Sequence, residues 1–86
     1  MSDAINLTTD TDYTLADFGE NQGIKQVRFL AKGVTGTFFI KHNDSQGYST
    51  VGENIFDGVA QFANIDTYDV FKVVFASGTV TAKVLG

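Results

Sequence analysis

Along most of this chain, apolar and polar residues alternate in short runs separated by turn residues. A period of two is typical of β-strands that bury one face, and no long stretch repeats apolar residues at the three- and four-residue spacing of a helix. The alternation predicts a core made of Val27, Phe29, Ala31, Phe38, Ile40, Phe71, Val73, Phe75, Val80, Ala82 and Val84.

Turn residues cluster at 17–23, 32–36, 42–47, 56–58 and 76–78. They divide the chain into about six or seven short runs rich in Val, Ile, Phe, Tyr and Thr. The sequence therefore predicts an all-β fold, a small antiparallel β-sandwich or barrel-like arrangement. The remaining strands are expected in "INL", "YTL", "STV", "NIF" and "VAQFANI", where Phe62 and Ile65 are better core candidates than Val59.

Two segments of similar pattern, "VRFLAKGVTGTFFIK" and "FKVVFASGTVTAK", are predicted to form two hairpins. Gly36 and Gly78 are expected to supply the positive φ that a tight connection needs. If each of two packed sheets uses one hairpin, Phe38 and Phe71 would meet across the layers.

Phe39 is expected to point away from the core, because Phe38 points into it. The same alternation directs Leu30, Val70 and Val74 outward. Two interpretations remain open for this apolar set. Either a loop or the N-terminal segment covers it, or it forms a protein interface, since contiguous exposed apolar patches mark contact sites.

The length of 86 residues predicts a single β domain over 1–86, with residues 1–4 as a flexible N-terminal arm or a frayed terminus. The absence of Cys rules out disulfides and thiolate metal sites. A net charge of -4 without a basic run argues against nucleic acid and anionic membrane as partners. The start has neither a signal-peptide pattern nor a membrane span, so synthesis and retention in a cytosol are expected.

Catalytic, metal and cofactor sites are not predicted. His42 is the single His, and nothing around it resembles a zinc site. The acidic residues Asp10, Asp12, Asp17 and Glu20 resemble a calcium loop only superficially, because Thr14 and Leu15 stand where an oxygen ligand and a Gly are needed. Turn residues that cap backbone N–H groups are the favoured interpretation. Gly33 and Gly36 lack the Lys and the helix of a phosphate-binding loop.

An aromatic platform for sugars is an alternative role. The chain has no Trp, so Tyr13, Tyr48 and Tyr68 are the candidates. A Tyr at a strand end more often packs half-buried against its neighbours than it binds a ligand.

The order "INLTTDTDYTL", "GVTGTFFIKHNDSQGYSTV" and "DVFKVVFASGTVTAKVLG" resembles the small β-sandwich virion proteins of tailed bacteriophages, of the type that decorates or cements the capsid. The resemblance covers nearly the whole chain and concerns the pattern and order of segments. No single motif in it is diagnostic, and tail and fibre domains share such sandwiches.

The resemblance implies a non-enzymatic virion protein that is made in the host cytoplasm and binds the outer capsid surface. It implies the major capsid protein or another virion protein as partner, and a homo-oligomer, with a trimer favoured. Leu30, Phe39, Val70 and Val74 would then contact a subunit or the capsid, and the acidic chain would face a basic capsid surface. The alternatives are a tail, neck or fibre component and a carbohydrate-binding adsorption module.

Overall fold

A computed structural model describes residues 4–41 and 53–85 and shows an all-β protein of two antiparallel sheets. The predicted fold class is confirmed. The strands are β1 (Ile5–Asn6), β2 (Ile24–Lys32), β3 (Gly36–Lys41), β4 (Glu53–Ile55), β5 (Gln61–Asp66), β6 (Val70–Val74) and β7 (Thr79–Val84). The predicted strand "STV" and the turn at 42–47 lie outside the described residues.

The core lies between the two sheets. One sheet has the strand order β1-β7-β2-β5 and the other has the order β4-β3-β6. All eleven residues that the alternation assigns to the core lie in this layer, with Ile40 and Phe75 only partly buried. Leu7, Leu15, Phe18, Ile55 and Ile65 complete the buried set. Phe62, in contrast, points to solvent, because it follows the opposite alternation from Ile65.

The two predicted hairpins are wrong. β2 pairs with β5 and β7, whereas β3 pairs with β4 and β6, so the connection between β2 and β3 crosses from one sheet to the other. The connection between β6 and β7 crosses in the same way. Phe38 and Phe71 therefore lie side by side in one sheet, with ring centroids 6.1 Å apart, and both contact Phe29 of the facing sheet.

β2 pairs with β7 and β3 pairs with β6, so the two segments that cross between the sheets run beside each other. Their antiparallel register is constant from Val27 opposite Val84 to Lys41 opposite Val70. This register places the two crossings against each other, with Gly33 beside Gly78. Both glycines have positive φ, 77° and 80°. The repeated turn pattern in the sequence thus reflects two stacked crossings.

Gly36 does not supply a positive φ, contrary to the prediction. It is buried in β3, and a Cβ at this position would lie 2.9 Å from Val73 Cγ1. Glycine is therefore required here for its small size.

The one helical element among the described residues is a single 3₁₀ turn at Leu15–Phe18. It places Leu15 and Phe18 in the core, three residues apart, which a period of two cannot reproduce. The carboxylate of Asp17 accepts a 2.8 Å hydrogen bond from the backbone N–H of Thr14. This side chain therefore closes the N-terminal end of the turn.

We expect Asp57→Ala to lower the free energy of unfolding by about 1 kcal/mol, since the variant loses one hydrogen bond at the stacked crossings. Asp57 Oδ1 accepts a 2.9 Å hydrogen bond from Gly33 N–H. Asp57→Asn keeps a carbonyl oxygen and is the matched control. Equal losses for the two variants in urea unfolding would contradict this role.

Candidate protein interface

The predicted outward residues do point away from the core, but they lie on two different surfaces. Phe39, Val70 and Val74 belong to β3 and β6 of the three-stranded sheet. Leu30 belongs to β2 of the four-stranded sheet, on the opposite side of the sandwich. The four residues therefore cannot form one contact patch, although each remains a candidate for a contact of its own.

The N-terminal segment runs along the edge of β6, and Lys72 of β6 lies against Phe39 on the outer surface of the three-stranded sheet. Asp10 N–H donates to Val73 O at 2.9 Å, and Tyr13 pairs with Phe71, so the segment follows the edge of β6. Asp10 also binds Lys72 at 3.0 Å. The Lys72 ammonium lies 5.9 Å from the centre of the Phe39 ring, where a cation–π contact is favourable. Phe39 is consequently half-buried.

The outer surface of the four-stranded sheet carries more exposed apolar side chains. Ile24 is 66% exposed, Phe62 is 47% exposed and Leu85 is 40% exposed, and half-buried Leu30 lies among them. The same alternation places three cations on this surface, together with the carboxylate of Asp66 opposite Ile24. We call it the basic face, defined by Ile24, Arg28, Leu30, Lys32, Phe62, Lys83 and Leu85.

The strand register arranges these side chains in rows. Arg28 on the central strand β2 lies opposite Lys83 on β7 and opposite Phe62 on β5. One row therefore joins two cations to an exposed aromatic ring. In the next row Leu30 lies opposite Thr81, whose hydroxyl donates to Leu30 O at 3.4 Å.

The basic face has a sign opposite to that of the whole chain. It holds three of the six Lys and Arg residues, in a chain whose net charge is -4. Within the described residues, Arg28, Lys32 and Lys83 form no salt bridge, whereas Lys25 binds Glu20 at 3.8 Å and Lys72 binds Asp10. Unpaired cations around apolar side chains fit a partner surface that carries carboxylates.

The acidic residues between β1 and β2 bind other groups of the protein. Asp17 caps the 3₁₀ turn, while Asp10 and Glu20 bind lysines. Asp12 is exposed. In the part of the chain that the structure describes, no three His, Cys, Asp or Glu side chains come together in a group that could hold a metal ion.

The Tyr candidates occupy different environments. The Tyr13 ring stacks on Phe71 at 6.1 Å, and its hydroxyl accepts a hydrogen bond from Thr8 N–H, so Tyr13 is a packing residue. Tyr68 is 74% exposed in the turn between β5 and β6. Tyr48 and His42 lie outside the described residues.

Sequence reasoning did not identify Phe62 and Ile24 as surface residues. A signal was present for Phe62. It is separated from Ile65 by an odd number of positions, so the two cannot both face the core of one regular strand. Ile24 gives no such signal, because it begins β2, where the pattern depends on where the strand starts.

No family model, curated protein or solved structure matches this chain. Among residues 4–41 and 53–85 there is no helix with the length and apolar character needed to cross a membrane.

Proposed function

We propose that this protein is a non-enzymatic structural component of a phage particle, in the first place a capsid decoration or cement protein, which binds a virion protein through the basic face. The observation that carries this proposal is the basic face itself. Exposed Phe62, Ile24 and Leu85 adjoin half-buried Leu30 and three cations without salt bridges among the described residues. Exposed apolar side chains with charged residues around them are typical of a protein contact surface.

The chemistry of this face supports one kind of partner surface. The sequence alone suggests an acidic decoration protein on a basic capsid surface. The basic face instead fits a capsid surface with exposed carboxylates and a shallow apolar patch. A contact of this size is weak for one copy, but simultaneous contacts within an oligomer raise the overall affinity strongly. The resemblance implies such an oligomer.

Quantitative mass spectrometry of purified particles tests the location. Copy numbers comparable to those of the major shell protein support a decoration or cement role. A few copies per particle would assign the chain to the tail, neck or fibres. Absence from the particle would overturn the proposal.

We expect Leu30→Ser to weaken particle binding about tenfold, because a residue at the centre of a contact contributes about 1–2 kcal/mol. Phe39→Ser is the matched control, since it makes the same kind of change on the other sheet. Co-sedimentation of each folded variant with particles that lack the protein measures the effect. Loss of binding with Phe39→Ser alone would contradict the assignment to the basic face and favour the three-stranded sheet.

A further inference from the structure

The outer edge of β5 is open. β5 pairs with β2 on one side, and none of the described strands pairs with its other side. A strand edge presents a row of backbone N–H and C=O groups that can pair with another chain.

The hydrogen bonds of β2 show which backbone groups of β5 point toward β2 and which point away from it. Gln26 O accepts from Leu85 N–H on the β7 side. Ala31 O and Gly23 O accept from Gly58 and Thr67 on the β5 side. Successive residues of a strand alternate between the two sides, so the odd-numbered residues of β2 bond to β5. Their partners are Gln61, Ala63 and Ile65, as the register gives them.

The even-numbered residues of β5 therefore direct their backbone groups toward the open edge. Asp66 is already satisfied, because its N–H donates to Asp69 Oδ2 at 2.9 Å and its C=O accepts from Asp69 N–H at 3.0 Å. Phe62 and Asn64 remain, and no described residue bonds to their outward N–H and C=O groups. The strand carries neither Lys nor Pro, and its register with β2 has no bulge. It thus lacks three of the devices that commonly protect a sheet edge.

We propose that two copies of this chain pair through β5, antiparallel, about a two-fold axis at Ala63. Phe62 of each copy then faces Asn64 of the other, and each facing pair exchanges two hydrogen bonds. The resulting four bonds use every free group that Phe62 and Asn64 present at the edge. The two sheets join into one sheet of eight strands.

Neighbouring registers satisfy fewer of these groups. An axis at Asn64 would place Phe62 opposite Asp66, whose backbone groups are already bonded to Asp69. An axis at Phe62 would place Asn64 opposite Ala60, which precedes the strand. The free backbone groups of β5 therefore favour the axis at Ala63 over these two registers.

The side chains are compatible with this axis. The two Phe62 residues become diagonal neighbours with backbones about 7–8 Å apart, within reach of aromatic side chains. The two Ala63 side chains meet on the core side, where small residues allow close approach. The Arg28 residues of the two copies lie three strand spacings apart, about 14 Å, which is beyond the screening length in physiological salt.

The inference is independent of the virion proposal, because it concerns the purified chain alone. Sedimentation equilibrium over a concentration series should show the mass rising from 9.3 kDa toward twice that value. A mass that stays at one chain, or that rises to three, overturns the two-fold pairing. The three-chain outcome would restore the trimer that the resemblance implies.

Cysteine cross-linking tests the register. The chain has no Cys, so Ala63→Cys introduces a single thiol that would face its own copy across the axis. Facing residues of this kind are about 4.5 Å apart at Cα, which suits a disulfide. Gln61→Cys is the matched control, on the same side of the same strand but opposite Ile65 of the second copy. Rapid oxidation of Ala63→Cys alone supports the register, and equal rates for both variants overturn it.

Phe62→Lys tests pairing at the β5 edge without an introduced disulfide. Lys at a strand edge opposes pairing, so this variant should remain at the mass of one chain. Phe56→Lys, at another site where Phe is 53% exposed, should keep the concentration dependence of the parent. Dimerisation of Phe62→Lys as strong as that of the parent would contradict the proposal. Circular dichroism of both variants checks that they are folded.

Discussion

Phe71→Ala is expected to lower the free energy of unfolding by about 3–5 kcal/mol, the usual cost of emptying a large aromatic site in a core. The Phe71 side chain is fully buried. Its ring lies 5.7 Å from Phe29 of the facing sheet, and 6.1 Å from Phe18 of the 3₁₀ turn and from Tyr13 of the N-terminal segment. The Phe71 side chain therefore contacts the facing sheet, the 3₁₀ turn and the N-terminal segment.

The loss is large compared with the stability expected for a chain of this length, about 4–13 kcal/mol. Urea unfolding followed by circular dichroism measures it. Phe56→Ala is the matched control, because the same atoms are removed from a ring that is 53% exposed, and it should change stability by no more than about 0.5 kcal/mol. Similar losses for the two variants would show that Phe71 is not the central residue of the core. Phe71→Leu, which retains apolar volume, should lose less than Phe71→Ala.

Gly78→Ala is expected to destabilise the protein by about 3 kcal/mol, through two effects that add. Gly78 has a φ of 80°, where a Cβ is unfavourable. In addition, that Cβ would lie 2.6 Å from Lys32 O and 3.1 Å from the carbonyl group of Gly33. Both contacts are with backbone, so neither can be relieved by a side-chain rotation.

Gly58→Ala separates the two effects. Gly58 has nearly the same φ, 76°, but a Cβ there would meet nothing within 4 Å. This variant should lose only the conformational cost, about 1 kcal/mol. Thermal and urea unfolding of the two variants give the difference, which measures how tightly the two crossings stack. Equal losses would mean that the crossings can move apart without cost.

The sequence predicted the two faces of each strand better than it predicted the partners of each strand. Burial depends on alternation, which is local, so Phe29, Phe38 and Phe71 were assigned to the core correctly. A turn between two alternating runs is compatible with a hairpin and with a crossing between sheets. The choice depends on pairing between residues more than 50 positions apart, such as Val27 and Val84, which no local pattern specifies.

The same limit applies to the candidate interface. Leu30 and Phe39 were both predicted to point outward, and both do. Whether they share a surface depends on which sheet each strand joins, and the predicted hairpin placed them in the same sheet. The basic face could not be predicted because Arg28, Lys83 and Phe62 become neighbours only through the pairing of β7, β2 and β5.

The crossings between sheets also determine how the chain can fold. Four connections between described strands change sheet, those from β2 to β3, β4 to β5, β5 to β6 and β6 to β7. Few neighbouring strands can therefore form an early local pair, and closing long loops comes before most stabilising contacts, which slows folding. β7 follows all other described strands in the chain, yet it lies between β1 and β2. During translation the four-stranded sheet must therefore stay incomplete until β7 has been synthesised.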